Sequence, residues 1–362
     1  MKGIICEKAG EPFKIVDNLD VPEPSPDQIL VKSIYMAINP VDEVMRSMGV
    51  LVHTWPLGLG IDVAGVVVKV GENATSKFKV GDHVCGCTRL GYPGYNGGQE
   101  FLLMGAKVTI PKPKNLSLVE AVTIGVGLET AGLGLFNSLD VKLPDLQEIL
   151  EQKYEKPQKN EWAIVLGGAS SVGKFATQAS IFALLLLLFD ICGYKVIASC
   201  SASSVSLVKK QGAEAVFDYK KPVNEQVKDV LDITKGKVHR VFDAAATGDE
   251  FAKELFKKLP AQSPKLFSST NTWSEITDFG GGKTKIADLS LVGRPDADGE
   301  YVNKLLAEYI PVFVALFEQQ HIYPAPYDLV GQGGLEDALE AFKYQQSGAG
   351  GPNKVIVKIQ DE

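Results

Sequence analysis

The sequence predicts an α/β protein: a β-rich domain, split in the chain around a doubly wound domain of mostly parallel strands. Three observations predict it. Up to about Leu116 the chain is made of short alternating or β-branched runs punctuated by turn signals. From Glu161 short apolar runs alternate with helix-like stretches, the pattern of βαβ units. Near the C-terminus the alternating run Lys354 to Ile359 has the form of a strand returning to the first domain. The length of 362 residues fits two domains at roughly 100–200 residues each.

In the first domain Ile29 to Ile34 (ILVKSI) alternates apolar and polar residues, and Val63 to Val70 (VAGVVVKV) is a β-branched run. Turns are marked at Pro22 to Pro26, Gly71-Glu72-Asn73 and Val80-Gly81-Asp82, a spacing that suits a small folded-over barrel. Ser117, with Glu120 three residues on, makes a capping box and predicts a helix start. The charged segment Asp145 to Glu161, which contains Pro157, predicts a surface helix or extension. Strands of the second domain are predicted at Trp162 to Leu166, Tyr194 to Ser199, Ala215 to Phe217, Val238 to Phe242 and Lys265 to Ser268. They tend to end in small or polar residues: Gly167-Gly168, Ser199-Cys200-Ser201, Asp218-Tyr219, Asp243-Ala244. Doubly wound sheets bind ligands at such strand ends. Gly334 to Phe342 reads as an amphipathic helix, and a Gly-rich turn, Gly348 to Pro352, precedes the last strand.

The chain is 45% hydrophobic and 22% charged with a net charge of -7, an ordinary globular balance with enough apolar residues for a sizeable core. An acidic surface repels phosphate backbones. The pairs Lys209-Lys210, Lys220-Lys221 and Lys257-Lys258 read as solvated faces, so no nucleic-acid partner is expected. The cysteines Cys6, Cys85, Cys87, Cys192 and Cys200 are odd in number and form no disulfide framework, which suits free thiols in a reducing compartment. No secretory leader is read at the N-terminus, so a cytoplasmic location is expected. Ile181 to Phe189 reads IFALLLLLF and is bounded by Ser180 and Asp190. A membrane span needs about 20 apolar residues, so a helix buried against a sheet is expected here, and no membrane.

The segment Val165 to Gly173 (VLGGASSVG) carries the strongest site signal. It follows an apolar strand and opens a helical pattern. Its glycines permit close backbone approach, and the helix N-terminus offers free N–H groups to a pyrophosphate. The bland alternative is a bare strand-to-helix turn. An NAD site places Asp or Glu at the end of the second strand, to bond the ribose 2′-OH. Here the stretch is Ser199-Cys200-Ser201-Ala202-Ser203-Ser204, without an acid. Hydroxyls and amides there accept a 2′-phosphate, with Lys209 near in sequence, so NADP is expected; a plain Ser-rich loop is the alternative.

Several motifs in order carry a family resemblance: Ala37-Ile38-Asn39-Pro40-Val41-Asp42, Gly60 to Val67 (GIDVAGVV), Lys79 to Val84 (KVGDHV), Gly167 to Gly173, and Gly212 to Tyr219 (GAEAVFDY). With them the chain resembles the medium-chain dehydrogenase/reductase superfamily over its whole length. Within it the resemblance is to the fungal zinc-independent branch of trans-acting enoyl reductases, ToxD-like and CipB-like oxidoreductases and quinone-reductase-like chains. The resemblance implies a GroES-like catalytic domain, residues 1–125 completed by 322–362, split around a Rossmann NADP-binding domain, residues 126–321. It implies that Val41, Asp42, Glu43 and Val44 lie near the nicotinamide. Gly168, Ala169, Ser170, Ser171 and Val172 would hold the pyrophosphate. Ser201, Ser203, Ser204 and Tyr219 would contact the adenosine and its 2′-phosphate, and Gly350 and Gly351 would return to the cofactor. The stretch Ile124, Gly125, Val126, Gly127, Leu128, Glu129, Thr130 and Ala131 would line the substrate cleft.

Two departures stand out. Zinc-dependent members carry a His-Glu pair in a GHExxG motif; here Ile61 replaces the His, and Asp62 by itself cannot close a site that needs about three protein ligands. Cys85-Gly86-Cys87 has a one-residue spacer and no partner pair, so it reads as a strand edge and no metal is expected. The second departure is the leucine run, which reads as an insertion of about two helical turns, either genuine or a gene-model artefact.

Without zinc, hydride addition to an activated C=C or a carbonyl of a small apolar substrate fits the chemistry, with nearby donors stabilising the developing enolate. Tyr92 and Tyr95 are the donors that can be placed near the cleft, though ordinary loop aromatics is the stronger alternative. His53 and His83 show no partner in the sequence. The expectation is therefore an NADPH-dependent oxidoreductase, monomer or homodimer. The alternatives are a trans-acting enoyl reductase with a polyketide synthase partner, and a non-enzymatic NADPH-binding sensor. A zinc alcohol dehydrogenase is argued against by Ile61.

Overall fold

A computed structural model of the chain describes residues 1–170, 188–272, 282–351 and 353–362. The chain divides into two compact units. The first takes Met1–Val126, Leu289–Ile310 and Pro324–Glu362; the second takes Gly127–Asp288 and Pro311–Tyr323.

The first unit is built on β-strands: β1 (Gly3–Cys6), β2 (Lys14–Val16), β3 (Gln28–Ile38), β4 (Leu57–Gly58), β5 (Asp62–Val70), β6 (His83–Cys87), β7 (Phe101–Gly105) and β8 (Ile110–Pro111). β1 pairs antiparallel with β2 and β4 in a small sheet. The main sheet is organised by β3, whose length lets it pair with β5 along one edge and with β7 along its first half. Two register shifts between β3 and β5, at Leu30/Val31 and Ser33/Tyr35, bend the pair, as bulges do. Inward residues of this sheet (Ile29, Val31, Val63, Val67, Val84, Leu102) pack with Phe78 and Met104 into one core.

The last strand, β16 (Lys354–Lys358), does return to this sheet. It runs antiparallel to β3 with Val355 opposite Ile38 and Val357 opposite Met36, and β15 (Tyr327–Leu329) pairs with it on the outside. The helix Leu335–Gln346 precedes it, and Phe342 meets Phe13 edge to face at 5.2 Å. The capping box forms as expected, Ser117 N–H donating to Glu120 Oε2 at 2.8 Å. The segment Leu289–Ile310 belongs to this unit, whereas the sequence expectation gave it to the second. Lys107 pairs with Glu300 at 2.7 Å, and Asn303 Oδ1 accepts the Gly293 N–H at 2.8 Å. The first is a contact across 193 residues of sequence, with no local pattern to announce it; the second lies within the segment itself.

Among its described residues the second unit holds six strands: β9 (Trp162–Leu166), β10 (Lys195–Cys200), β11 (Ala215–Asp218), β12 (Val238–Asp243), β13 (Leu266–Ser269) and β14 (Lys283–Ile286). All pair in parallel, in the order β11-β10-β9-β12-β13-β14. The chain leaves β9 in one direction and comes back to its other side at β12, so the switch of direction falls between these two strands. Open α/β sheets hold their ligands at this point. Ile164, Ile197, Val241 and Phe267 pack against helix residues Phe251, Leu255 and Phe256 on one face. β14 (KTKI) escaped the sequence reading because an edge strand with exposed lysines lacks an apolar pattern. Most of the leucine run, residues 181–187, lies outside the described residues; Leu188 and Phe189 are buried in a short helix, Leu188–Ile191. No helix among the described residues is long and apolar enough to cross a membrane.

Candidate active site

In the first unit four chain segments meet at one buried polar network. Helix α1 (Pro40–Met48) starts with Pro40, whose fixed φ suits a first helical turn, and ends at Gly49 in the left-handed conformation. This start turns Asp42 inward. Its carboxylate accepts the Asn39 N–H at 2.7 Å and the Gly60 N–H at 3.1 Å. β5 begins at Asp62, whose Oδ1 accepts the Val126 N–H at 2.7 Å and whose Oδ2 accepts Asn39 Nδ2 at 3.0 Å. β16 begins at Lys354, whose ammonium donates to Asp62 Oδ2 at 2.6 Å and to Asn39 Oδ1 at 2.5 Å. The side chains of Lys354 and Asp62 are 1% and 0% exposed.

Burying a charge is tolerable only when it is paired and hydrogen-bonded, and this one is both. Two carboxylates share one ammonium. Burial pushes the Asp42 carboxyl up to about 7, against the opposing pull of its two N–H donors and of Lys354, while the Asp62 charge adds to the rise.

The network brings together predicted residues from two separate groups: Asp42, expected near the cofactor, and Gly125 and Val126, expected near the substrate. Gly125 is there for steric reasons. A Cβ on it would lie 2.4 Å from Asp62 Oδ1, 2.5 Å from the Gly86 carbonyl carbon and 2.7 Å from Cys87 N. Val41 and Val44 are half-buried on the same helix, and Glu43 is spent on Arg46 at 2.7 Å. Helix α3 (Gly125–Gly132) carries the remaining predicted substrate residues; Ile124 through Ala131 are all buried, and from Gly127 they belong to the second unit. Gly350 is buried beside Val355 and Tyr344, and Gly351 is exposed with φ 54.

In the second unit the glycine turn lies at the end of β9, at the switch point. Gly167 takes φ 75, its N–H donates to Ser199 Oγ at 2.8 Å, and the Gly168 N–H donates to the Ser199 carbonyl at 2.9 Å. The neighbouring strand thus holds the turn open. A Cβ on Gly168 would fall 2.9 Å from that of Ala198. Ala169 is half-buried, and Ser170 Oγ reaches the Ala244 carbonyl at 3.4 Å across the switch point. Ser171 and Val172 lie outside the described residues. At the end of β10 the hydroxyls of Ser201, Ser203 and Ser204 converge, 3.0 and 3.2 Å from one another. Tyr219, just past β11, is 52% exposed, and its carbonyl accepts Gln226 Nε2 at 3.0 Å. The turn, the serines and Tyr219 lie at the C-terminal ends of neighbouring strands, the end of an open α/β sheet at which ligands are held.

Sequence reasoning missed three members. Asn39 and Lys354 were read as part of a motif and of a strand, and Asp62 only as a failed zinc ligand. The available signal was a lysine at an inward position of an otherwise apolar strand. A fourth, outside that network in the second unit, is Asp243 at the end of β12, buried, accepting from Ala245 N–H, Gly248 N–H and Ser269 Oγ, and raised in pKa by that burial. It rigidifies the strand end facing the glycine turn. Of the tentative donors, Tyr95 has its hydroxyl oxygen taken by Gln28 Nε2 at 2.6 Å, and Tyr92 is packed face-on between His53 and Arg89. Among the described residues no group of three or more His, Cys, Asp or Glu is arranged to hold a metal ion.

Residues 25–114 match the alcohol dehydrogenase GroES-like domain. The chain is 32% identical to trans-enoyl reductase traG of Penicillium crustosum, across 94% of this chain and 93% of that one. It is 28% identical to dehydrogenase pigH of Monascus ruber, across 97% and 98%. Among solved structures, JamJ enoyl reductase superposes with a TM-score of 0.74 at 21% identity, over 99% of this chain and all of that one. A quinone oxidoreductase of Pseudomonas syringae superposes with a TM-score of 0.70 at 19% identity, over 99% of each.

Proposed function

Because the chain belongs to the medium-chain dehydrogenase/reductase superfamily, in the branch that holds the fungal trans-enoyl reductases, and is an oxidoreductase, we propose that it reduces an activated carbon–carbon double bond with NADPH and without zinc. The observation that carries this is the state of Asp62. It stands where zinc-dependent members have a glutamate beside a ligating histidine, but its two oxygens are occupied by Val126 N–H, Asn39 Nδ2 and the Lys354 ammonium. Its neighbour Ile61 is buried and apolar. A carboxylate already neutralised by a buried cation is a scaffold anchor, not a metal ligand.

A bound nicotinamide coenzyme would supply the hydride for the β-carbon of an enoyl or enone, with solvent supplying the proton. The chain supplies position and dryness. The network fixes the start of α1 against β5 and the start of α3, so that Val41, Val44 and the apolar residues of α3 hold their places. An enolate oxygen is less basic than an alkoxide, so reduction of an activated double bond asks less electrophilic help of the site than carbonyl reduction does. The three hydroxyls after β10, with no carboxylate in that turn, support the 2′-phosphate of NADPH over the bare ribose of NADH. The acceptor is an enoyl thioester presented by a separate polyketide synthase, a choice supported by likeness to a trans-enoyl reductase along nearly the whole chain. The named relatives are reductases and dehydrogenases, so the sensor alternative is set aside. We place the enzyme in the cytoplasm as a monomer or homodimer.

The test is NADPH consumption against enones, quinones, aldehydes and an enoyl thioester, with NADH and a chelator as controls. Turnover of the enoyl thioester that prefers NADPH and survives the chelator is expected. Loss of activity to the chelator, restored by zinc, would overturn the zinc-free mechanism.

A further inference from the structure

We propose that Arg89, flanked by Arg294 and His53, forms a recognition site for the phosphate of the pantetheine arm that carries a thioester substrate. The proposal rests on the enoyl-thioester function above.

Arg89 follows β6 by two residues. The strand ends at Cys87, opposite Asp62 in register, and the next N–H, that of Thr88, donates to the Ile61 carbonyl at 2.8 Å. Arg89 is therefore fixed within two residues of the buried network. Its guanidinium lies over the Tyr92 ring at 3.7 Å and 5.4 Å from the Tyr95 ring. Stacking on aromatic faces holds the guanidinium plane and leaves its edge to make paired hydrogen bonds. No carboxylate is paired with it among the described residues, and its Nε is buried without a hydrogen-bond partner. Thr88 Oγ1, next to it, is in the same condition. A buried donor without a partner is costly, and functional sites are where such costs are retained.

Two further basic side chains act on this cluster. His53 stacks on the other side of the Tyr92 ring system at 4.7 Å, held there because its N–H and that of Thr54 both donate to the Gly91 carbonyl. Burial lowers the pKa of His53, and the charges of Arg294 and Arg89 lower it further, so the ring is a neutral hydrogen-bonding group at neutral pH. Arg294 is partly neutralised by Asp296 at 2.7 Å. That leaves Arg89 as the uncompensated cation. The chain carries a net charge of -7, which repels anionic substrates at long range, so a phosphate-bearing substrate needs a local cation of this kind. The forked geometry of arginine matches two oxygens of one phosphate in a charge-assisted pair, which the single neutral carbonyls of a thioester tail do not equal.

The experiment is calorimetric titration of the whole protein with 4′-phosphopantetheine and with pantetheine, in saturating NADP⁺ so that phosphate sites used by the coenzyme are filled. Wild type is expected to bind the phosphorylated arm at least about tenfold more tightly. Arg89→Gln is expected to bring that ratio close to one, and Arg89→Lys, which keeps the charge but not the fork, to leave an intermediate ratio. Lys343→Gln, a surface charge elsewhere on the unit, is expected to leave the ratio unchanged. Equal affinities for the two arms in wild type, or an undiminished ratio in Arg89→Gln, would overturn the site; the wild-type comparison changes the ligand only, so it stands even where a variant fails to fold. Discrimination between the arms without reduction of any enoyl thioester would leave the site intact and refute the proposed reaction instead.

Discussion

Replacing Lys354 with methionine is the sharpest test of the buried network. Methionine fills most of the volume and removes only the ammonium. At 2.6 Å from Asp62 Oδ2, and with an effective dielectric near 20, the pair gains about 6 kcal/mol before the cost of drying both ions. The net effect of removing one partner of such a pair is a loss of about 3–5 kcal/mol, because the other charge is left buried. Here Asp62 loses its ion-pair partner, Asp42 loses a cation that lowers its pKa, and Asn39 Oδ1 loses a donor. For a unit of this size each kcal/mol moves the melting midpoint by about 2–4 °C, so a fall of about 6–20 °C is expected. The loss should shrink at acid pH, where protonation relieves the stranded carboxylates. The measurement is thermal melting of Lys354→Met beside the double variant Asp62→Asn, Lys354→Met, which strands less charge and should recover part of the loss. A single variant whose midpoint moves by less than about 2 °C at neutral pH would refute the view that this pair holds the first unit together.

Three further outcomes follow from the same geometry. Asp42 keeps a proton in the folded chain up to about pH 7 that the unfolded chain releases near about pH 4, so stability falls as pH rises through that window and levels off above it; denaturant melts across pH should show this slope, and Asp42→Asn should flatten it. Gly125→Ala drives a methyl group into the backbone of Gly86 and Cys87 and against Asp62, and is expected to cost about 1–3 kcal/mol, read as a lower midpoint; an unchanged midpoint would show that α3 can shift freely. Ser201→Asp puts a carboxylate where the hydroxyls converge and should raise the KM for NADPH by about tenfold or more while lowering that for NADH; unchanged values for both coenzymes would place the 2′-phosphate elsewhere.

Much of this protein was legible in its sequence because the signals are local. Alternation and β-branching marked β3 and β5, and the inward residues they promised form the core. The strand-to-helix repeat marked five of the six parallel strands, and the residues closing each strand lie at one end of one sheet. The glycine turn was readable from its own composition, as was the acid-free stretch after β10. Ile61 is the single position on which the expectation of a zinc-free mechanism rests.

What the tertiary structure decided is the pairing of groups far apart in the chain. Asp62 meets a lysine 292 residues away, and a Cβ on Gly293 would lie 3.5 Å from that of Arg89 although nothing local links them. The segment Leu289–Ile310 joined the first unit through single contacts such as Lys107 with Glu300. Sequence periodicity reports which face of an element is buried, because burial repeats with the period of the helix or strand. It does not report which buried charge meets which, because a salt bridge depends on two side chains brought within hydrogen-bond distance only after the whole fold has closed.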